Sequence, residues 1–315
     1  MPSAGLTSGR QYPFDAGMTK DAAPPSGRLP HLGLLRFTGP DSLSFLQGQL
    51  SNDTRRLADG QPLLAAYSSP QGRVLALMHL LPHSSGTIAI LPRELVSPTA
   101  EALRRFVLRA KVRIENASDL LWIAGRQAGN PPAAGEQPQS GYRESDGVGT
   151  APVNRDPSRY WVIGSGDPGS HREDDSPQAV ERAWRLADIR AGLAQVYPAT
   201  RETFVAQMLN LDLLDGISFT KGCYTGQEII ARTQHLGRIK RRLYRLRLPP
   251  GDWMVGQTLR LTDGRSGRLT EVVDTGEGSE ALAVLSVEPT AVAADGDAES
   301  GAAVAAETLP LPYPL

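Results

Sequence analysis

The sequence has a single cysteine, Cys223, so no disulfide can form within the chain. A lack of disulfides is typical of proteins from a reducing compartment. No stretch reaches the roughly 18 consecutive apolar residues of a membrane-spanning helix, and the N-terminal residues lack the apolar core of a signal peptide. A net charge of −1 gives no overall attraction to nucleic acid or to an anionic membrane. We therefore expect a soluble cytoplasmic protein with no membrane partner and little affinity for nucleic acid.

The chain has 315 residues and an ordinary globular composition, with 40% hydrophobic and 21% charged residues. Residues 1–27 are rich in Gly, Pro and Ser and predict a disordered tail. From residue 28 to 240, apolar strand patterns alternate with amphipathic helices, which indicates an α+β region. Residues 125–158 are crowded with Gly, Pro, Gln and Asp and predict a variable loop.

Three helices can be placed by their end signals. Pro40 predicts the start of one helix, and Ser97 with Pro98 predicts the N-cap and first residue of a second. The third, "PQAVERAWRLADIRA", has an apolar face and is followed by Gly192 at the position of a C-cap. After residue 240 the pattern changes to short alternating strands separated by Gly turns, which predicts a small β-barrel over residues 241–290 and an Ala-rich tail over 291–315.

The one cysteine lies in "FTKGCYTGQEIIA", residues 219–231. Thr225 and Glu228 match a capping box, so a helix is expected to begin near Gly226. The positive end of that helix and the nearby Lys221 would both favour the thiolate form of Cys223. A small buried cysteine at a tight turn is the alternative interpretation, and the residues alone leave both open. One thiol cannot hold a metal ion without a ligand from a partner, so no metal site is predicted.

Two other patterns have less specific meaning. Residues 164–169 fit G-x-G-x-x-G after a strand, but no apolar-faced helix follows directly, so a loop or hairpin is favoured over a dinucleotide site. The segment "GRIKRRLYRLRL" carries six basic residues. Arg245 and Arg247 alternate with leucines and fit a solvated strand face, whereas the group from Arg238 to Arg242 is a candidate anion site.

The motif "KGCYTGQE" closely resembles the signature of the YgfZ-type folate-binding proteins, which are relatives of the glycine-cleavage T-protein, an aminomethyltransferase. Further segments resemble that family in the right order and cover most of residues 31–245: "GPDSLSFLQGQLSNDT", "SPQGRVLA", "RRFVLRAKVRI", "DIRAGL" and "NLDLLDGISFTKGCYTGQEIIARTQHLG". The resemblance implies a ring-like α+β fold with two intertwined subdomains and a small C-terminal β-barrel. It also implies a folate-linked role in assembly or repair of iron–sulfur clusters, with cluster-assembly proteins or client enzymes as partners.

By this resemblance Cys223 and Lys221 form the working centre, and a tetrahydrofolate site is expected around residues of the motif and two arginines: Arg190, Gly222, Tyr224, Gly226, Gln227, Glu228 and Arg238. Three departures separate the chain from the aminomethyltransferase branch. Ala76 and Leu77 stand where that branch has an acidic pair, Arg190 replaces the acidic residue that reads the pterin, and Cys223 replaces an Asp. We therefore expect an accessory protein, with a folate-dependent aminomethyltransferase and an RNA-binding protein using Arg238–Arg242 as alternatives.

Overall fold

The computed structural model describes residues 26–127, 141–166, 176–235, 237–289 and 303–315. Within these ranges the fold is α+β, with three five-stranded antiparallel sheets and four α-helices, as expected. The helices are α1 (Ser42–Gln49), α2 (Arg93–Arg104), α3 (Pro177–Ala191) and α4 (Gln227–His235). The strands are β1 (Gly27–Arg28), β2 (Leu32–Thr38), β3 (Leu63–Ser68), β4 (Val74–His83), β5 (Gly86–Pro92), β6 (Arg113–Asn116), β7 (Leu121–Gln127), β8 (Arg143–Ser145), β9 (Val148–Val153), β10 (Asp156–Ser165), β11 (Arg241–Leu248), β12 (Thr258–Arg260), β13 (Ser266–Asp274), β14 (Ser279–Ser286) and β15 (Glu307–Leu309).

The first sheet has the order β3-β4-β5-β2-β6. Every residue of β3 is buried, and most of β4 is as well. Continuous apolar runs suit strands that are covered on both faces, which explains why they lack alternation. The turn between β3 and β4 lies directly against the segment that carries the cysteine.

Helix α3 covers the predicted segment and ends at Gly192, as predicted. The Ser176 hydroxyl accepts the Ala179 N–H, and Gly192 adopts the left-handed conformation with φ 68° at the C-cap. Gly192 is required there for a second reason. A Cβ at this position would lie 2.6 Å from the Tyr313 hydroxyl, which donates to the Gly192 carbonyl at 2.9 Å.

Helix α2 begins earlier than predicted. It starts at Arg93, so Pro98 lies inside the helix rather than at its first position. Leu95 and Val96 in the added turn are fully buried against the first sheet. Burial of these side chains outweighs the lost backbone hydrogen bond at Pro98 and extends the helix toward its N-terminus.

The predicted loop over residues 125–158 is partly strand. Residues 128–140 lie outside the described ranges, but β8, β9 and the start of β10 form a meander in the second sheet, whose order is β1-β7-β10-β9-β8. The predicted N-terminal tail lies outside the described residues up to position 25, and Gly27 already pairs with Gly125. Gly164 of the G-x-G-x-x-G pattern is a strand residue of β10, consistent with the hairpin interpretation.

The third sheet, β12-β13-β14-β11-β15, forms the C-terminal β-structure expected from residue 241. Its last strand comes from the segment that the sequence predicts as a tail. Glu307–Leu309 pairs with β11, and Val304 bridges Leu261 beside β12. The C-terminal segment therefore joins the two edge strands and closes the sheet into a barrel. No helix among the described residues is long and apolar enough to span a membrane.

Candidate functional site

The loop that carries Cys223 is anchored by Lys221, which is only 5% exposed. Its ammonium group donates to three backbone carbonyls at the end of α1: Gln47 at 2.7 Å, Leu50 at 2.7 Å and Asn52 at 2.8 Å. Three acceptors satisfy the three N–H groups of a protonated lysine. Burial lowers the pKa of Lys221 to about 8, so the side chain is still mainly protonated at neutral pH. Lys221 thus ties the loop to the end of α1.

Tyr224 is the second buried anchor of this loop. Its ring lies 4.9 Å from the Lys221 ammonium in a cation–π contact, and burial raises the pKa of the Tyr224 hydroxyl to about 12. Between the two anchors, Gly222 and Cys223 are both exposed. The thiol is therefore accessible at the surface of a loop held from below, and the interpretation of Cys223 as a small buried cysteine is wrong.

Two glycines let the loop and α4 approach the β3–β4 turn closely. Gly226 has φ 82°, and a Cβ there would lie 2.7 Å from the Ser69 carbonyl oxygen. A Cβ on Gly72, at φ 71°, would lie 2.8 Å from Ile229 Cβ. Side chains at these positions would push α4 away from the turn. Gly222 differs, because a Cβ there would meet open space.

Helix α4 begins where the sequence predicts, but Thr225 and Glu228 do not form the predicted capping box. The Gly226 carbonyl accepts the Ile230 N–H at 3.4 Å, which places Gly226 at the N-cap and Glu228 at the second helical residue. The Thr225 hydroxyl pairs with Gln49 at 3.4 Å, and Glu228 is exposed. Thr225 therefore links the loop to α1 rather than to α4. Gln227 is half-buried at the first helical position.

Arg190 is held by the C-terminal barrel and does not join the cysteine loop. It lies in the last turn of α3, where its guanidinium pairs with Glu280 of β14 at 2.9 Å. Arg245 pairs with the other oxygen of Glu280 at 2.7 Å. These arginines lower the pKa of the Glu280 carboxyl against the effect of burial, and Arg190 joins α3 to the barrel. A folate carboxylate would have to compete with Glu280 for it.

A groove of about 550 Å³ lies beside the C-terminal end of α4 and the start of β11. Arg238, Arg242, Tyr244 and Leu315 are among its lining residues. Because α4 has nine residues, this groove and Cys223 are near opposite ends of a helix about 13 Å long. The volume of the groove is within the range of ligand sites, roughly 300–1,000 Å³.

The charges of this groove are largely compensated. Arg242 forms a two-fold contact with the Asp212 carboxylate at 2.6 and 2.8 Å. Arg238, with 78% of its side chain exposed, pairs with Glu288 at 2.6 Å. Only Arg238 of these two is exposed enough to exchange its partner for a ligand carboxylate. The groove therefore fits an anionic ligand in volume and offers Arg238 at its rim.

The two positions in β4 that differ from the aminomethyltransferase branch are buried and apolar. Ala76 and Leu77 are 0% and 1% exposed within β4. Neither can supply a proton-accepting group, and both contribute to the core.

Sequence reasoning missed the acceptors of Lys221 and a buried polar cluster. His79 contacts Trp161 with ring centroids 5.2 Å apart, and Arg159 pairs with Asp188 at 2.8 Å. Burial lowers the pKa of His79 to about 4 and raises that of Asp188 to about 6. Backbone carbonyls carry no residue-type signal, and the cluster joins β4, β10 and α3, which are distant in sequence.

Similarity to known proteins extends over most of the chain, although no protein-family model matches it. The chain is 32% identical over 276 residues to the tRNA-modifying protein YgfZ of Hamiltonella defensa, covering 79% of this chain and 77% of the relative. It is also 32% identical over 231 residues to the tRNA-modifying protein YgfZ of Colwellia psychrerythraea, covering 69% of each. Its fold is similar to that of the glycine cleavage system aminomethyltransferase T of Bartonella henselae, with a TM-score of 0.57, 12% identity, and coverage of 83% of this chain and 78% of that one.

Proposed function

This chain belongs to the YgfZ family, and from that premise we propose that it is a folate-binding accessory protein for iron–sulfur cluster assembly or repair. Cys223 is the working thiol. The observation that carries the proposal is the position of this residue, exposed between the buried anchors Lys221 and Tyr224. A thiol held in this way can meet the surface of a second protein, where it supplies a soft ligand or a nucleophile.

The roles of the neighbouring residues follow from their contacts. Lys221 positions the loop through the carbonyls of Gln47, Leu50 and Asn52. Gly222 leaves the space beside the thiol open, and Gly226 seats α4 on the β3–β4 turn. The sequence also predicts that Lys221 favours the thiolate. With its ammonium bound to three carbonyls, its main contribution is to hold the backbone on the N-terminal side of Cys223.

Tetrahydrofolate is the proposed ligand. Support comes from the family resemblance and from the groove beside α4, which has sufficient volume and an exposed guanidinium, Arg238, for a carboxylate tail. Arg190 supports this less, since Glu280 holds it. Calorimetry with tetrahydrofolate should show binding that Arg238→Ala weakens, while a titration without heat or thermal stabilisation would remove folate from the proposal.

The name of the curated relatives extends the proposal to RNA metabolism. Relatives are called tRNA-modifying proteins, and a cluster-maintenance role is compatible with that name where the client is a cluster-dependent enzyme that modifies tRNA. Deletion of the gene should therefore lower the activity of several cluster-dependent enzymes, tRNA-modifying ones included, most strongly under oxidative stress. Unchanged activities in the deletion strain would contradict the proposal.

A folate-dependent aminomethyltransferase is the second candidate, favoured by the fold similarity to aminomethyltransferase T. Ala76 and Leu77 argue against it, because they place apolar side chains where a carboxylate is needed. A glycine-cleavage assay separates the two. Robust transfer of the one-carbon unit would establish the enzyme and refute the accessory role.

A further inference from the structure

A ridge of positive charge follows helix α2. Five of the ten residues from 104 to 113 are basic, none is acidic, and all five basic residues are exposed: Arg104, Arg105, Arg109, Lys111 and Arg113. We call residues 104–113 the basic ridge. A chain with a net charge of −1 can still present such a local surface, because net charge does not describe how the charges are distributed.

The charge of the basic ridge is left largely uncompensated. Among the residues that the structure describes, no ion pair involves Arg105, Arg109 or Lys111. Arg113 approaches Glu115 only at 3.4 Å, and its side chain is 76% exposed. This differs from the Arg238–Arg242 group, in which Glu288 and Asp212 already occupy two of the arginines. The basic ridge is therefore the stronger anion-binding surface of the two.

Two bulky apolar side chains stand among these cations. Phe106 is 44% exposed and Leu108 is 87% exposed. An exposed aromatic ring beside uncompensated arginines matches the chemistry that binds looped or single-stranded RNA, where cations contact phosphates and rings stack on bases. An anionic membrane would be expected to meet a longer amphipathic face with several apolar anchors.

The backbone of the basic ridge is held in place. Val107, Ala110 and Val112 pack against the main core, and the Lys111 N–H donates to the Asp41 carboxylate at 2.7 Å. The Phe106 N–H also donates to the Leu103 carbonyl at 3.0 Å. Because the buried side of the segment fixes its backbone, binding has to order only the exposed side chains and not the main chain.

The basic ridge is also close to the strand beneath the cysteine loop. Arg105 and Arg201 both act through their charge to lower the pKa of the Tyr67 hydroxyl at the end of β3, against the larger effect of burial. The next residue, Ser68, has its Cβ 3.2 Å from where a Cβ on Gly226 would lie. Arg105 therefore acts on Tyr67, one residue before the point where the segment that follows Cys223 packs on the end of β3.

We propose that the basic ridge is an RNA-binding surface, which contacts phosphates through Arg105, Arg109 and Lys111 and stacks Phe106 on an unpaired base. The ligand class is structured RNA with exposed loop bases. That this RNA is a tRNA rests on the proposed function. The surface would dock the RNA on the protein that carries the exposed thiol.

The test is binding of an unmodified tRNA transcript, measured by fluorescence anisotropy over a series of salt concentrations. The triple variant Arg105→Ala/Arg109→Ala/Lys111→Ala should flatten the slope of log K against log salt by about 2–3, at roughly 0.7–0.9 for each phosphate that is no longer neutralised. The control Arg126→Ala/Arg143→Ala/Arg260→Ala removes the same net charge from exposed positions elsewhere and should change the slope far less. Phe106→Ala should weaken binding by roughly fivefold or more at an unchanged slope.

Other outcomes overturn the inference. Equal losses in the two triple variants would show a net-charge effect without a defined surface. If the triple variant of the ridge lost binding to phosphatidylserine vesicles but still bound tRNA, the ridge would be a membrane contact. The Cys223→Ser variant separates this inference from the proposed function, because it should bind the transcript like the unmodified protein. If it does so while cluster-dependent activities prove independent of the gene, the RNA surface stands and the cluster role fails.

Discussion

Replacing Lys221 with methionine tests the idea that this residue holds the cysteine loop in place. Methionine is similar in length and apolar. It cannot donate the hydrogen bonds that the Lys221 ammonium gives to the carbonyls of Gln47, Leu50 and Asn52. Arginine should not restore the loop, because a planar guanidinium cannot direct N–H groups at the same three acceptors.

The size of the stability loss expected for Lys221→Met follows from two opposing contributions to the folding free energy. Three hydrogen bonds from a charged donor contribute about 5–9 kcal/mol in total. Burial lowers the pKa of Lys221 from 10.5 to about 8, and a fall of this size corresponds to a desolvation cost of about 3 kcal/mol. The net loss of folding free energy on Lys221→Met is therefore expected to be about 2–6 kcal/mol.

Two measurements check this prediction. Denaturant titration should give the loss of stability, and the rate of Cys223 alkylation by iodoacetamide should change, because the backbone on one side of the thiol is released. Lys240→Met is the matched control, since Lys240 is exposed, and it should alter neither quantity. A Lys221→Met variant within about 0.5 kcal/mol of the unmodified protein (the usual scatter of surface substitutions), with an unchanged alkylation rate, would refute the anchoring role.

Two further predictions concern the packing of α4 and the buried histidine. Gly226→Ala should cost about 1–3 kcal/mol in denaturant titration, because φ is 82° and the added Cβ would meet Ser69, whereas Gly222→Ala has open space and should cost far less. For His79, burial lowers the pKa from 6.5 to about 4. Between these values the unfolded chain binds a proton that the folded chain does not, so this group's contribution to stability falls as the pH falls. The variant His79→Phe keeps a ring against Trp161 but cannot bind this proton. The stability that the protein loses between about pH 7 and 4.5 should therefore be smaller in the variant by on the order of 2 kcal/mol. An unchanged pH dependence of stability would contradict the lowered pKa of His79.

The elements that the sequence predicts well are those defined by local signals. Gly192 marks the end of α3, and the apolar runs of β4 and β5 are long enough to be identified without alternation. The position of α4 follows from the residues around Thr225 and Glu228, although the two side chains do not cap it. A capping pattern thus located the helix while Gly226, two residues before Glu228, took the N-cap position.

The elements that the sequence misplaces depend on contacts between distant residues. Helix α2 extends to Arg93 because the first sheet buries Leu95 and Val96. Glu307–Leu309 becomes a strand only because β11 offers an open edge about 60 residues earlier in the chain, with Arg247 opposite Glu307. Composition alone describes that segment as a tail.

The candidate site shows the same division. The motif identified Cys223, Lys221 and the two glycines, but it left open whether the thiol is buried, and the structure shows that it is exposed. The motif could not show that the hydrogen-bond partners of Lys221 lie about 170 residues earlier in the chain. It also could not show that Arg190 and Arg238 form ion pairs with Glu280 and Glu288. Charge patterns in a sequence identify ionisable groups but do not reveal which of them are neutralised after folding.

The most direct test of the central claim is complementation of the deletion strain with Cys223→Ser. Serine keeps the size of the side chain but supplies neither the nucleophile nor the soft ligand at neutral pH. Because Cys223 is exposed, the variant should fold and bind tetrahydrofolate like the unmodified protein, yet fail to restore cluster-dependent enzyme activities. The control Thr220→Ser, at an exposed neighbour in the same loop, should restore them fully. Full restoration by Cys223→Ser would contradict the account.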